Sequence, residues 1–201
     1  MDGTELVETV RETLQTELSR LGSSKSLYAD TAGEMEPEPV LTAIGDATYY
    51  AAELLEAWAD TGVFADAARR EQAHYESIVE ELDSHDPGDR PPLVEAMAEA
   101  TTREARLGAL VGWTLVVEKK ASQTSGFFTG QAQPTTASTF RSFGDDYEAT
   151  REEALDALEA ACEDEDDWEA ATAAASAVVQ AAYDDYFETL ESLGVKPKPV
   201  C

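Results

Sequence analysis

The sequence has few basic residues and few of the residues that build disulfides or metal clusters. Of its 201 residues, only 14 are Lys or Arg, two are His and two are Cys. Because there are so few basic side chains, the chain has no basic stripe that could bind phosphates. We therefore expect neither a nucleic acid nor a membrane surface as a partner. The two cysteines, Cys162 and Cys201, form no C-x-x-C pair. Neither a disulfide framework nor a rubredoxin-type or zinc-ribbon centre is therefore expected.

Long apolar runs and targeting signals are also missing. The longest uncharged apolar stretch lies around Ala109–Val117, which is too short to span a bilayer. The N-terminus, Met1–Glu5, is acidic and has neither the basic nor the apolar region of a signal peptide. Together with the absence of paired cysteines, these features predict a cytoplasmic protein.

Acidic residues dominate the composition. Asp and Glu total 42, which gives a formal net charge of −28, well outside the range of ordinary small domains. Only five of the basic residues are lysines, namely Lys25, Lys119, Lys120, Lys196 and Lys198. This acidic, lysine-poor composition resembles that of cytosolic proteins of halophilic archaea. Self-repulsion at such a charge predicts that the fold needs salt.

Apolar residues recur at steps of three and four along most of the chain, which predicts an all-α protein. The predicted helices of the first half are Leu6–Leu21, a short one within Ser26–Met35, Glu38 to about Asp60, and Phe64–Leu82. A third long helix is expected to begin near Leu93, after the Pro- and Gly-rich loop Ser84–Pro92.

The second half of the chain is predicted to contain a longer connection and two more helices. Ser122–Pro134, which carries two glycines, is expected to be the connection, and a fourth long helix follows it to about Leu158. After an acidic turn at Glu163–Asp167, the segment Trp168–Leu193 has near-heptad spacing. The tail 194–201 is expected to be extended.

These elements predict one helical domain over residues 1–201 with a four-helix bundle as its core at 38–163. The halves of the bundle are the helical hairpins 38–84 and 93–163. The N-terminal helix and the extra C-terminal helix at 164–193 are expected to pack on the outside or to form an oligomer interface, such as that of a homodimer.

The segment Glu71-Gln72-Ala73-His74 is a Glu-x-x-His sequence, which places both side chains on one helix face about a turn apart. Carboxylate di-iron proteins use this spacing on two bundle helices, with a lone Glu from each of the other two. Two interpretations stay open. In the first, Glu71 and His74 are metal ligands; in the second, they form a helix-edge pair in which Glu71 reaches water.

Residues Leu41–Ala161 resemble the rubrerythrin branch of the ferritin-like superfamily. Phe64–Leu82 is similar to the second bundle helix of that family, including its Glu-x-x-His, and Phe140–Tyr147 is similar to the run that leads to its fourth-helix ligands. The resemblance implies a ferritin-like bundle and, where the site is kept, di-iron oxidation or peroxide reduction. Such an oxidoreductase would need an external electron-donor protein, because the chain has no rubredoxin-like cysteines.

Other positions depart from the pattern of that family. The inward Glu of the first bundle helix corresponds to Thr48, and the second Glu-x-x-His corresponds to Tyr147 and Thr150. The remaining candidate ligands are Glu104 and Glu118 near the apolar face of the third long helix, where the alternative for each is a solvated edge acid. The ligand set is therefore incomplete for a di-iron centre.

We expect one of two states for the centre of the bundle. Either no metal binds, and hydrogen bonds from the Thr and Tyr side chains satisfy Glu71 and His74, or one divalent ion (iron, manganese or zinc) binds in an oxygen-rich shell. His85 is expected to be exposed in its loop, and Arg151 to pair with a core acid or to hold an anionic ligand. Two functions stay open: a rubrerythrin-like oxidoreductase with a partial site, and a non-catalytic helical interaction or structural protein that acts as an oligomer.

Overall fold

The computed structural model describes residues 1–59 and 62–197, and this part of the chain contains nine α-helices and no β-strand. In chain order the helices are α1 Gly3–Thr13, α2 Gln15–Leu21, α3 Ser24–Asp30, α4 Pro37–Trp58, α5 Val63–Val79, α6 Pro92–Ala98, α7 Arg103–Gly130, α8 Pro134–Ala161 and α9 Glu165–Ser192. The all-α prediction is confirmed. Asp60, at which one helix is predicted to end, and the part of the predicted tail beyond Pro197 lie outside the described residues.

Helix α7 is the central element of the fold. Its residues Leu107–Val117 are buried without interruption, which is the pattern of a helix that other helices surround. Short links make antiparallel pairs of α4 with α5 and of α7 with α8, and α9 packs on α7 as well. None of the helices in the described ranges has both the length and the apolar character needed to cross a membrane.

Helices α7 and α9 run in parallel with their backbones in contact. A Cβ atom on Gly108 would collide with the backbone of Ala171, and one on Gly112 would lie 2.5 Å from the carbonyl oxygen of Ala175. Glycine at these two positions permits the close approach. The C-terminal helix therefore packs against the centre of its own chain.

Two predicted boundaries in the middle of the chain are wrong. The helix expected from Leu93 is two helices, because Thr102 begins a new one: its side chain accepts a hydrogen bond from the backbone N–H of Ala105. The connection expected at Ser122–Pro134 is helical as far as Gly130, and only residues 131–133 link α7 to α8.

Helix α7 continues through this polar segment because its side chains are satisfied along the helix and its phenylalanines are packed. The hydroxyls of Thr124 and Thr129 donate to carbonyl oxygens one turn earlier. Phe128 is fully buried and stacks on Phe140 of α8 at a centroid distance of 5.7 Å, and Phe127 packs partly buried beside it. Packing against α8 therefore outweighs the low helix propensity of the two glycines.

The N-terminal region is also more divided than predicted. The helix expected over Leu6–Leu21 is interrupted at Leu14, whose φ of −111° and ψ of 33° separate α1 from α2. Asp2 and Glu5 form a capping box that begins α1. The short helix expected around Ser26–Met35 is α3, which begins two residues earlier, at Ser24, and ends at Asp30.

Candidate functional site

Glu71 is a buried carboxylate that bonds to the central helix. Its side chain is 4% exposed, and its Oε1 accepts a hydrogen bond of 2.7 Å from Nε1 of Trp113. Glu71 belongs to α5 and Trp113 to α7, so this bond joins the two antiparallel helix pairs. The second oxygen, Oε2, is buried and has no hydrogen-bond partner within the described residues.

His74 lies one turn further along α5, between aromatic rings and a second carboxylate. Its Nε2 is 2.9 Å from Oδ2 of Asp146 on α8. Its ring stacks on Phe143 at a centroid distance of 4.0 Å and meets the edge of Tyr147 at 5.1 Å. Nδ1 lies 3.8 Å from Oε2 of Glu71, which is too long for a hydrogen bond. These two unpartnered atoms therefore face each other inside the protein.

The electrostatics of this cluster raise the pKa of both His74 and Tyr147. Burial acts to lower the pKa of His74, but the carboxylates of Glu71 and Asp146 outweigh it and raise the pKa. Burial, followed by the charges of the same two carboxylates, raises the pKa of Tyr147 well above its ordinary value. The cluster thus holds one imidazole between two carboxylates, with a protonated tyrosine at its side.

The structure brings together two of the four predicted metal ligands. Glu71 and His74 are adjacent and buried, so the interpretation in which Glu71 reaches water at a helix edge is wrong. Glu118 is 38% exposed and pairs instead with Arg151 at 2.6 Å. Arg151 therefore pairs with an acid, as one of its two interpretations predicts, but that acid does not lie in the core. Glu104 lies in the first turn of α7, close enough to Cys162 to act on the pKa of its thiol.

The hydrogen bonds predicted from Thr48 and Thr150 to Glu71 and His74 are not made, because both hydroxyls bond to backbone carbonyls instead. Tyr147, the third side chain of that prediction, meets the ring of His74 edge-on. Thr48 is buried, but its hydroxyl donates to the carbonyl oxygen of Ile44 at 2.8 Å. Thr150 is also buried and donates to the carbonyl oxygen of Asp146 at 2.9 Å. Among residues 1–59 and 62–197, no three His, Cys, Asp or Glu side chains are placed to hold one metal ion together.

Sequence reasoning missed the two residues that bond to the cluster, Trp113 and Asp146. The burial of Trp113 could have been predicted from the sequence. Trp113 follows Leu110 by three residues and precedes Val117 by four, so it lies on the same apolar helix face as they do. A buried indole N–H requires an acceptor. The helical spacing does not predict a contact between Asp146 and the cluster, because the Asp146 carboxylate is half-exposed.

The prediction that His85 is exposed is wrong. Its side chain is 2% exposed, with Nε2 3.1 Å from Oδ1 of Asp46 and Nδ1 3.0 Å from the hydroxyl of Tyr75. The loop packs back on α4, because the Asp46 carboxylate also accepts from the backbone N–H of Gly88 and the Tyr50 hydroxyl donates to the Gly88 carbonyl. Polar contacts with α4 therefore bury a histidine that its loop sequence would leave in solvent.

A cavity of about 240 Å³ lies beside the cluster, between α4, α7 and α8. Trp113, Phe143 and Tyr147 line it, and the same three rings border the polar cluster. The cavity and the cluster are therefore neighbouring features that share three aromatic side chains.

No protein-family model, curated protein or solved structure matches this chain. The class of this protein is therefore defined by its fold and its site. It is an all-helical protein with a buried carboxylate–imidazole–carboxylate cluster, formed by Glu71, His74 and Asp146, next to an aromatic cavity.

Proposed function

We propose that this protein is a ferritin-like four-helix bundle of α4, α5, α7 and α8 in which a polar cluster replaces the di-iron centre. In this proposal it acts as a non-catalytic interaction or structural protein. The observation that supports it is the bond from Trp113 to Glu71. One oxygen of the carboxylate that the resemblance assigns as a metal ligand accepts an indole N–H, and the bond stabilises the contact between the two helix pairs.

The residues at the centre do not fit a dinuclear metal site. Such a site takes about four carboxylates and two imidazoles, whereas this cluster offers Glu71, His74 and the half-exposed Asp146. Thr48 and Thr150, which the resemblance aligns with two further ligands, donate their hydroxyls to backbone carbonyls. Oxygen- or peroxide-linked oxidation is therefore not the proposed function.

A single divalent ion is a second candidate, which the two unpartnered atoms favour. Oε2 of Glu71 and Nδ1 of His74 are both buried and lie 3.8 Å apart. The Nε2 of His74 is held by Asp146, the arrangement that commonly orients a ligating imidazole. Glu71 and His74 would hold iron, manganese or zinc here, and the ion would supply Lewis-acid polarisation or a structural cross-link.

Metal content separates these candidates. Protein purified in high salt without chelator is analysed by mass spectrometry, before and after incubation with iron, manganese or zinc. The metal-free bundle predicts no stoichiometric metal in either sample. One ion per chain that is lost in His74→Ala and kept in His85→Ala would replace that proposal with the single-ion site. Two irons per chain would overturn both.

The oligomer is tested separately by light scattering in high salt. A homodimer is the simplest assembly for an interaction or structural protein of this size. A monomer at every concentration would remove the self-assembly part of the proposal and leave an interaction with a different protein.

A further inference from the structure

The interior of the cavity between α4, α7 and α8 is aromatic and apolar. Its walls include Ile44, Leu93, Trp113, Phe140, Phe143 and Tyr147. An apolar cavity of roughly 150 Å³ accommodates benzene, whereas sites for drug-sized ligands reach roughly 300–1,000 Å³. At about 240 Å³, the cavity fits a ligand with one ring or a short branched chain and a few further atoms.

The mouth of the cavity is acidic. Four carboxylates and two basic side chains surround it, namely Asp30, Asp46, Asp89, Asp185, Arg90 and Lys120. The ammonium group of Lys120 is already paired with Asp30 at 2.7 Å, and the guanidinium of Arg90 lies over the ring of Tyr50 at 5.2 Å. The charges at the mouth therefore leave an excess of negative potential at the entrance to an apolar space.

Asp185 is the carboxylate that α9 contributes to this mouth. It projects from α9, and the described residues provide it with neither a hydrogen bond nor an ion pair at contact distance. Burial, only partly opposed by Lys120, raises the pKa of its carboxyl group. A positive group at the mouth would offset this cost.

We propose that this cavity binds a small organic cation that has an aromatic or branched apolar body and one ammonium group. The body lies against Trp113, Phe140 and Phe143, and the ammonium group meets Asp185 at the mouth. An anion of the same shape would meet four carboxylates. Because neither Glu71 nor His74 lines the cavity, this proposal holds with or without a metal at the cluster.

Three probes with one body and different end groups test the charge preference. Phenylbutylamine, phenylbutanol and phenylbutyrate are titrated into the full chain by calorimetry, at the lowest salt concentration that leaves its circular dichroism unchanged. The amine is expected to bind roughly tenfold more tightly than the alcohol, and the carboxylate not to bind measurably. Equal binding of amine and alcohol, or no binding of the amine, would overturn the proposal.

Two charge-matched variants test the position of the cation. Asp185→Asn is expected to weaken binding of the amine roughly fivefold and to leave binding of the alcohol unchanged. Asp184→Asn removes the same charge one residue earlier. Asp184 is exposed, as Asp185 is, but it does not line the cavity, so this variant is expected to change neither. An equal loss in both variants would mean that the amine is attracted to the acidic surface in general, and the site would be rejected.

A third variant tests the position of the apolar body. Ala47 lines the cavity from α4, so Ala47→Leu fills part of the space and is expected to abolish binding of both the amine and the alcohol. Unchanged binding in a folded Ala47→Leu protein would place the ligand elsewhere and would contradict the proposal. If this variant does not fold, the Asp185 and Asp184 pair still decides the question.

Discussion

Glu71 differs from the other paired acids of the chain in how completely it is buried. Glu118 and Glu153 pair with arginines but keep about two fifths of their side chains exposed, at 38% and 42%. Glu71 is 4% exposed, and its one hydrogen bond comes from Trp113. Because a desolvated carboxylate is costly without a donor, the burial of Glu71 depends on that indole.

We predict that Trp113→Phe lowers the free energy of unfolding by roughly 2–4 kcal/mol. The phenyl ring keeps most of the apolar contact but leaves Oε1 of Glu71 buried and unpaired, in addition to a small loss of volume. Urea unfolding in high salt measures the cost, and Trp168→Phe on α9 is the control for ring size. A cost no greater than that of the control would show that Glu71 does not depend on the indole.

Cys162 is predicted to be an unreactive thiol. Burial, followed by the charges of Asp167 and Glu104, raises the pKa of Cys162 to about 11. At pH 8 only about one such thiol in a thousand is the reactive thiolate. In a Cys201→Ser variant, reaction with Ellman's reagent should be much slower than that of free cysteine at pH 8, and should accelerate about tenfold per pH unit up to pH 10. A rate like that of free cysteine would contradict the raised pKa.

At the scale of elements, small residues determine how α7 and α9 meet. Gly108 and Gly112 stand one turn apart on α7, opposite Ala171 and Ala175 of α9. Larger side chains at the glycines would hold the helices apart and expose neighbouring residues such as the buried Val178. The same helix also carries Gly126, which faces solvent with nothing within 4 Å of the Cβ position.

We predict that replacing glycine by alanine has opposite effects on stability at two positions of α7. Gly112→Ala places a methyl group 2.5 Å from a backbone oxygen of α9, so it should destabilise the protein by roughly 1–3 kcal/mol. Gly126→Ala should stabilise it by roughly 0.5–1 kcal/mol, because alanine loses less entropy in a helix. Thermal and urea unfolding measure both variants. Stabilisation by Gly112→Ala would mean that α9 lies further from α7.

Element types could be predicted from the sequence more fully than element boundaries. The apolar spacing identifies the helices that become α4, α5, α8 and α9, because burial on one face requires the helical period. The same reasoning predicts that α7 ends too early, at Ser122, because glycine and hydroxyl residues such as those that follow Ser122 are common in loops. Contact of Phe128 with Phe140 on a different helix keeps that segment helical, and local spacing contains no information about such a contact.

At the scale of the whole molecule, a net charge of −28 on 201 residues dominates the long-range energetics. Repulsion among these charges opposes the compact state, and salt screens it: the screening length falls from about 10 Å at 0.1 M to about 3 Å at 1 M. Ion pairs such as Lys120–Asp30 neutralise only a few of the acids. The fold should therefore depend on ionic strength more than an ordinary helical domain does.

We predict that the urea midpoint of unfolding rises steadily with KCl and that far-ultraviolet circular dichroism is lost when salt is removed by dialysis. Sucrose is the control, because it favours the compact state by exclusion from the surface and does not screen charge. Sucrose alone should restore the helical signal less effectively than KCl. An unchanged helical signal in dilute buffer would contradict the salt requirement.

The candidate site shows the same division between local and long-range information. The spacing of Glu71 and His74 places them on one face of α5 whatever surrounds that helix. Their partners come from other helices: Trp113 follows Glu71 by 42 residues, and Asp146 follows His74 by 72. Pairing across such distances depends on how the helices pack, so the ligand-like pair could be found from the sequence and its hydrogen bonds could not.

The sequence by itself determined the helical class, the acidic character of the protein and the adjacency of Glu71 and His74. These properties follow from composition and from the 3.6-residue period, which are local. The tertiary structure alone decided the burial of His85, the pairing of Arg151 with Glu118 and the aromatic cavity with Asp185 at its mouth. Each of these joins residues far apart in the chain, and their positions become defined only when helices pack against one another.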